Sequence, residues 1–155
     1  DEFLEIRKLP DIRDLFREMN AGGMDLAALE RVLRDRHVLS FVPRVAIMAS
    51  TPVLTDPFLF TCLERAGAID PRGLALRISR KEFDIVATRT SSRMYRTVPH
   101  VSPSLHAPIE EAYEPCCALG SLLILLPRGG ASSPPLAREL IAAGCREIRP
   151  EEKIR

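Results

Sequence analysis

Residues 38–84 read VLSFVPRVAIMASTPVLTDPFLFTCLERAGAIDPRGLALRISRKEFD. The stretch contains two short apolar runs, at 38–42 and 52–54, each followed by a helical pattern, and it leads into a third run at 85–87. Apolar runs that are rich in β-branched residues indicate buried strands, whereas apolar residues recurring at three and four indicate amphipathic helices. The stretch therefore predicts an α/β domain in which strands and helices alternate.

Two Asp-Pro pairs indicate where helices begin within this stretch. Asp56-Pro57 and Asp70-Pro71 each place a side-chain acceptor next to a proline. An Asp carboxylate can accept a bond from a free amide at a helix start, and proline has no amide to leave unpaired at the first helical position. We expect one helix to begin at each pair.

The flanking sequence extends the same pattern in both directions. Two amphipathic helices are predicted upstream, over about 11–19 and 25–36, and a polar loop is predicted over 90–101. A helix from Ser102 to Tyr113 contains Pro108, which should kink or split it. Residues 116–127 read CCALGSLLILLP and predict either a strand pair turning near Gly120 or one central strand, before a final amphipathic helix.

This order of elements predicts the fold class. Alternating strands and helices favour a small, mainly parallel sheet with helices on both faces, which is a Rossmann-like three-layer α/β domain if the crossovers are right-handed. We expect a helical lead-in over 1–36, an α/β core domain over 37–128, and a linker with a C-terminal helix over 129–155.

Composition excludes some classes of partner. The 155 residues carry a formal net charge of +1 and contain 5% aromatic residues with no Trp, so neither a basic patch nor a stacking platform for nucleic acid is expected. No run approaches the roughly 20 apolar residues that span a bilayer. The chain starts at Asp1 without a signal peptide, and we expect it to be a piece of something larger.

Motifs for cofactor, metal and nucleophile chemistry are absent from the sequence. There is no GxGxxG, no phosphate loop and no GxSxG elbow. The three histidines, at positions 37, 100 and 106, have no further ligands in register. We therefore expect no cofactor, no metal and no catalytic residue within the chain.

The four cysteines form no CxxC pair. We interpret Cys62, Cys116, Cys117 and Cys145 as buried thiols that behave as small hydrophobic side chains. A disulfide at Cys62 or Cys145 in an oxidising compartment remains an alternative, and the redox state of all four thiols stays open.

The best polar cluster is an Arg-rich loop that contains Arg89, Arg93, Tyr95 and Arg96. Arg93, Tyr95 and Arg96 could bind a phosphate or carboxylate, because a planar guanidinium matches such groups. Asp56 is a further candidate for ligand binding. The alternatives are a solvated loop at a sheet edge and, for Asp56, a helix cap without further function.

The same residues carry a resemblance to a known family. The succession from Asp56-Pro57-Phe58 through Asp70-Pro71 and Phe83-Asp84 to Tyr113 and Pro127-Arg128 resembles the tail of bacterial multi-spanning membrane glycosyltransferases. These are GT-C type enzymes, the group that includes protein mannosyltransferases and aminoarabinose transferases. The resemblance covers roughly residues 36–128. The chain departs from it at Pro108, at the Cys116-Cys117 pair and in the helix after Arg128.

The resemblance implies a non-catalytic role for this chain. Such enzymes look to transfer a sugar from a polyprenyl-phosphate carrier, with their catalytic acid in the first extracytoplasmic loop, a segment that is absent here. The implied role is a soluble accessory domain at the extracytoplasmic face of the bacterial inner membrane. Its implied partners are the membrane-embedded portion of the same polypeptide and a sugar or glycan acceptor.

Two other functions remain open. The unpaired thiols and the absence of a signal peptide favour a free-standing cytosolic α/β binding or interaction module. The basic loop favours a small enzyme that acts on a phosphorylated ligand through Arg93 and Arg96.

Overall fold

A computed structural model describes residues 26–50, 57–89, 101–120 and 122–148 of the chain. Six helices and five strands lie within these ranges. In chain order they are α1 (Leu26–Arg34), β1 (Val38–Ser40), α2 (Pro43–Met48), α3 (Pro57–Arg65), α4 (Arg72–Ser79), β2 (Ile85–Arg89), α5 (Pro103–Ala112), β3 (Tyr113–Leu119), β4 (Leu122–Pro127), α6 (Ser133–Ala142) and β5 (Arg146–Glu147). The predicted helix at 11–19 and the apolar run at 52–54 lie outside the described residues.

The five strands form one mixed sheet in the order β1-β2-β4-β3-β5. Strands β1 and β2 are parallel, with Leu39 opposite Val86. The pairings β2–β4, β3–β4 and β3–β5 are antiparallel. The α/β class is therefore confirmed.

The predicted Rossmann-like, mainly parallel sheet is wrong, because only one of the four pairings in the described part of the chain is parallel. The cause is the hairpin of β3 and β4, whose short turn at 120–121 can join only antiparallel neighbours. Gly120 adopts φ +56 in that turn, a conformation that costs glycine little. Strand β4 then lies between β2 and β3, two strands that run in the same direction and would otherwise pair in parallel.

Strand β4 is the central strand of the sheet. Because both of its faces are buried, helices pack on both sides of the sheet and the domain has three layers. All six of its residues are buried, as the continuous apolar run predicts. Successive side chains point to opposite faces, so Leu122, Ile124 and Leu126 join one core cluster while Leu123 and Leu125 join the other. Hydrophobic side chains therefore cover both faces of the sheet.

Each face is packed by its own set of helices. Leu29 and Leu33 of α1 pack with Leu136 and Leu140 of α6 on the face of Ile124, and α2 contributes there as well. Helices α4 and α5 cover the face of Leu125 with Ile78, Leu105 and Ile109. Full burial of one such aliphatic side chain stabilises the fold by about 2 kcal/mol.

Local sequence signals are confirmed at several helix ends. Helix α3 begins at Pro57, and the Asp70 carboxylate accepts a bond of 3.0 Å from the amide of Arg72 at the start of α4. Helix α5 is continuous across Pro108, so the expected split does not occur. A single proline removes one backbone bond from this ten-residue helix, which Leu105 and Ile109 hold against the core.

Candidate functional site

The sheet has two ends with different chemistry. Strands β1, β2 and β3 run in one direction, so Val38, Ile85, Tyr113 and Pro127 lie at one end, which we call the closed end. The other end, which we call the loop end, is formed by Ser40, Arg89, Leu119 and Leu122. Residues 90–100 connect the loop end to α5.

At the closed end, one buried hydroxyl binds both backbone groups of a residue on another element. The Tyr113 hydroxyl donates to the carbonyl oxygen of Phe83 at 3.0 Å and accepts from the Phe83 amide at 3.2 Å. Tyr113 is fully buried where α5 becomes β3. The hydroxyl therefore fixes the segment that enters β2 against the end of α5.

Burial raises the pKa of the Tyr113 phenol to about 12. The bond that the Phe83 amide donates to the phenol oxygen opposes this shift, and the nearby charges of Asp84 and Glu82 reinforce it. Above the ring of Phe83 lies the Arg77 guanidinium, 4.9 Å from the ring centroid. The neutral phenol is therefore the form that the closed end stabilises.

Two further connections complete the closed end. The Asp84 carboxylate accepts from the His37 amide at 2.9 Å, while the Asp84 amide donates to the His37 carbonyl at 2.8 Å. Arg128 donates through its backbone amide to Ala112 at 2.9 Å and through Nε to Glu110 at 3.2 Å. These bonds satisfy carbonyl groups of the last turn of α5, which have no partner within the helix.

The loop end carries a polar group at the start of α5. The Ser102 hydroxyl, in a residue that is 1% exposed, donates to the Glu64 carboxylate of α3 and lies 3.1 Å from the Ser104 hydroxyl. The His106 ring nitrogen Nε2 lies 2.9 Å from the Val101 carbonyl oxygen. An acid, two hydroxyls and an imidazole thus line the point where the 90–100 connection joins α5.

Thr88 adds an unsatisfied hydroxyl to this end of the sheet. It is 2% exposed in β2, and its Oγ1 has no hydrogen-bond partner in the described part of the chain. By strand alternation it lies on the same face as Val86, which α4 and α5 cover. A buried hydroxyl without a partner costs about 1–3 kcal/mol, and such groups mark places where a partner is expected.

The ligand-binding residues predicted from sequence, Asp56, Arg93, Tyr95 and Arg96, all lie outside the described residues. Their immediate neighbours are defined. Asp56 directly precedes Pro57, the first residue of α3, and the loop of the arginines follows the exposed Arg89 at the end of β2. The predicted binding role of these four residues therefore stays a prediction.

The cysteines are only partly as predicted. Cys117 and Cys145 are buried, Cys116 is half-buried and Cys62 is exposed. The prediction that Cys62 is buried is wrong, because it lies on the outer side of α3. All four cysteines lie in the described ranges, and no disulfide joins any of them. Over residues 26–50, 57–89, 101–120 and 122–148, no cluster of three His, Cys, Asp or Glu side chains is arranged to hold a metal ion.

Sequence reasoning missed the polar group of Glu64, Ser102 and Ser104. The available signal was the Ser-Pro-Ser start of α5, but the acid comes from α3, which is remote in sequence. Within the described ranges, the helices are all too short or too polar to cross a membrane. No known protein family, curated protein or solved structure matches the chain.

Proposed function

We propose that the chain is an extracytoplasmic accessory domain of a membrane glycosyltransferase that uses a polyprenyl-phosphate sugar. In this role it is not catalytic in isolation. Its partners are the membrane-embedded portion of the same polypeptide, which contains the reaction centre, and a sugar or glycan acceptor, which the domain helps to bind or orient.

The observation that carries the proposal is that four of the resemblance residues meet at the closed end. The pair Phe83-Asp84, Tyr113 and Arg128 are far apart in the sequence, yet their bonds join β2, α5, β3 and β4 at one end of the sheet. The Lys81 ammonium also donates to the Arg128 carbonyl at 2.6 Å. Because these residues bond to one another at one place in the fold, the motifs that contain them depend on one another. This supports treating the resemblance as a single pattern rather than a set of short coincidences.

At the closed end, each of these residues forms hydrogen bonds that hold elements of the fold together. This structural role fits a domain without a reaction centre of its own. In this proposal the acceptor is bound by residues of the connection between β2 and α5. Arg93 and Arg96 supply guanidinium groups for a phosphate or carboxylate on the acceptor, and Tyr95 supplies an aromatic face for a sugar ring. Asp56, which precedes α3 in the sequence, supplies an acceptor for sugar hydroxyls.

The first test reads the gene upstream of the codon for Asp1. The proposal expects several membrane-spanning helices in frame, with an Asp or Glu in the first extracytoplasmic loop. A complete reading frame without upstream membrane helices would overturn it.

The second test uses the full-length enzyme, with sugar transfer from a polyprenyl-phosphate donor as the assay. In the double variant Arg93→Gln, Arg96→Gln, we expect the KM for the acceptor to rise about tenfold with kcat unchanged, because two charge-assisted bonds to the acceptor are lost. The control is Arg138→Gln. Arg138 belongs to α6, which packs on the face of the sheet opposite α5, so this variant should leave KM and kcat unchanged. Equal KM values for the double variant and the control would argue against acceptor binding by the connection between β2 and α5.

A second function, a free-standing cytosolic α/β binding or interaction module, is favoured by one observation: no disulfide joins any of the four cysteines, all of which lie in the described ranges. Reduced thiols are typical of cytosolic proteins. A thiol titration of protein isolated natively under alkylating conditions separates the two functions. Four reactive thiols after denaturation favour the cytosolic module, and fewer favour the extracytoplasmic domain.

A further inference from the structure

Three of the four cysteines meet at one edge of the sheet. The register of β3 against β4 shifts between Pro115 and Cys117, so Cys116 is the extra residue of a β-bulge. Cys117 belongs to the core cluster on the face that α1 and α6 cover, and Cys116 packs against that cluster. Cys145, which directly precedes β5, belongs to the same cluster.

Strand pairing explains why Cys117 and Cys145 are neighbours. Cys117 is opposite Glu147 and Ala118 is opposite Arg146 in the β3–β5 pair. Residue 145 is two positions before residue 147, so its side chain points to the same face as the side chain of Cys117. The two residues are 0% and 3% exposed and belong to the same buried cluster on one face of the sheet, which brings their side chains together in the core.

The position of Cys145 makes it the more accessible of the two thiols. It directly precedes the two-residue edge strand β5, whereas Cys117 lies within β3, between β4 and β5. The neighbouring Cys117 thiol also lowers the pKa of the Cys145 thiol, while Cys116, Cys145 and burial raise the pKa of the Cys117 thiol. A thiolate attacks a disulfide and a thiol does not, so Cys145 is the residue that would react first.

We propose that Cys117 and Cys145 are a disulfide-forming pair that joins β3 to the segment between α6 and β5. The oxidant is a low-molecular-weight disulfide. The Cys145 thiolate attacks one of its sulfurs, forming a mixed disulfide and releasing one thiolate. The Cys117 sulfur, losing its proton to the released thiolate, then attacks the Cys145 sulfur and expels the second thiolate. Two protein thiols are oxidised to one disulfide while the small disulfide is reduced to two thiols.

Access to Cys145 is provided by the shortness of β5. This edge strand contains two residues, both exposed, and is held to β3 by two register pairs and by the bond of 3.1 Å from the Ile148 amide to the Cys116 carbonyl. Local opening of so short an edge costs far less than global unfolding. Cys116 does not compete for Cys117, because a disulfide between adjacent residues is strained.

The bridge would attach the C-terminal part of the chain to the sheet. It closes the loop that contains β4 and α6, whose Leu136 and Leu140 complete the core. Because cross-linking reduces the entropy of the unfolded chain, the bridged form should melt at a temperature higher by roughly 5 °C or more. This property belongs to the folded domain itself and does not depend on the function proposed above.

The test exposes the folded, reduced 155-residue chain to a mixture of oxidised and reduced glutathione, followed by acid quenching, alkylation and peptide mapping. A Cys62→Ser background removes the exposed thiol that would link two molecules. Cys116 and Cys117 fall in one proteolytic peptide, so mapping is repeated with Cys62→Ser, Cys116→Ser. The matched control is Cys62→Ser, Cys117→Ala.

In the Cys116→Ser background we expect one linkage, between the peptides of Cys117 and Cys145. The mass of the protein should fall by two hydrogens, and its melting temperature should rise as stated above. Addition of a dithiol reductant should reverse both changes. The Cys117→Ala control should yield no linkage. The proposal would be overturned if Cys117 and Cys145 stayed reduced in folded protein at equilibrium with the oxidant. It would also be overturned if a linkage to Cys145 formed in the Cys117→Ala control, through Cys116, but not in the Cys116→Ser background.

Discussion

The two ends of the sheet differ in how completely their polar groups are satisfied. At the closed end, the Tyr113 hydroxyl, the Asp84 carboxylate and the Arg128 guanidinium all bind backbone groups of neighbouring elements. At the loop end, the Thr88 hydroxyl is buried without a partner among the described residues. The Glu64 carboxylate there accepts a bond from the Ser102 hydroxyl, which lies 3.1 Å from the Ser104 hydroxyl.

This difference separates residues that specify the fold from residues that are available for a ligand. A side chain that binds backbone groups of its own protein has little capacity left for a substrate, whereas unsatisfied or clustered polar groups beside a connection are typical of binding sites. Substitutions at the closed end should therefore change stability. Substitutions at the loop end should change binding, and removal of a polar group that has no partner there should improve stability.

The largest expected effect is the loss of stability at alkaline pH that Tyr113 causes. Its pKa is about 12 in the folded protein against 10.0 for an ordinary tyrosine. The unfolded phenol loses its proton first, so the unfolded state binds fewer protons and stability falls as the pH rises from about 10 to 12. Two pKa units correspond to about 3 kcal/mol.

The measurement is urea unfolding from pH 9 to pH 12 for the parent chain and for Tyr113→Phe. The variant retains Tyr95 and every lysine, so the difference between the two curves isolates the Tyr113 phenol. We expect the parent chain to lose its advantage over the variant across this range. Parallel curves would show that the phenol titrates normally and that the closed end does not bury it.

The second effect is the loss of the Tyr113 hydroxyl itself at neutral pH. Tyr113→Phe leaves the Phe83 amide and carbonyl without a partner, so we expect destabilisation by about 2 kcal/mol. The matched control is Phe60→Leu on α3, which packs at the margin of the same core cluster without any polar contact. If the two variants lost equal stability, the closed end would be held by packing alone.

Sequence patterns predicted local structure better than they predicted pairing. The β-branched and apolar runs and the Asp-Pro pairs indicated strands β1, β2 and β4 and the starts of α3 and α4, because those signals act over a few residues. The direction of pairing depends on which strands become neighbours, and a two-residue turn at 120–121 decided that. Strand β5 carries only Arg146 and Glu147, a pair without any periodic pattern.

The closed end was visible in the sequence as spaced motif residues, but their bonds were not. Nothing local indicates that the Tyr113 hydroxyl binds Phe83, since the contact depends on how α5 meets β2. The grouping of Cys117 with Cys145 likewise depends on the β-bulge at Cys116 and on the β3–β5 register. Sequence reasoning identified these residue types, and tertiary structure selected which of them meet.

The smallest expected effect, with the opposite sign, belongs to Thr88 at the loop end. Thr88→Val has nearly the same shape and removes a buried hydroxyl that has no partner in the described ranges, so we expect stabilisation by about 1 kcal/mol. Thr88→Ser keeps the hydroxyl and loses a methyl group, which should destabilise by about 1 kcal/mol. Urea unfolding at neutral pH measures both. Destabilisation by Thr88→Val would mean that the hydroxyl is bonded within the chain, and the contrast between the two ends of the sheet would disappear, because the loop end would then be as fully satisfied as the closed end.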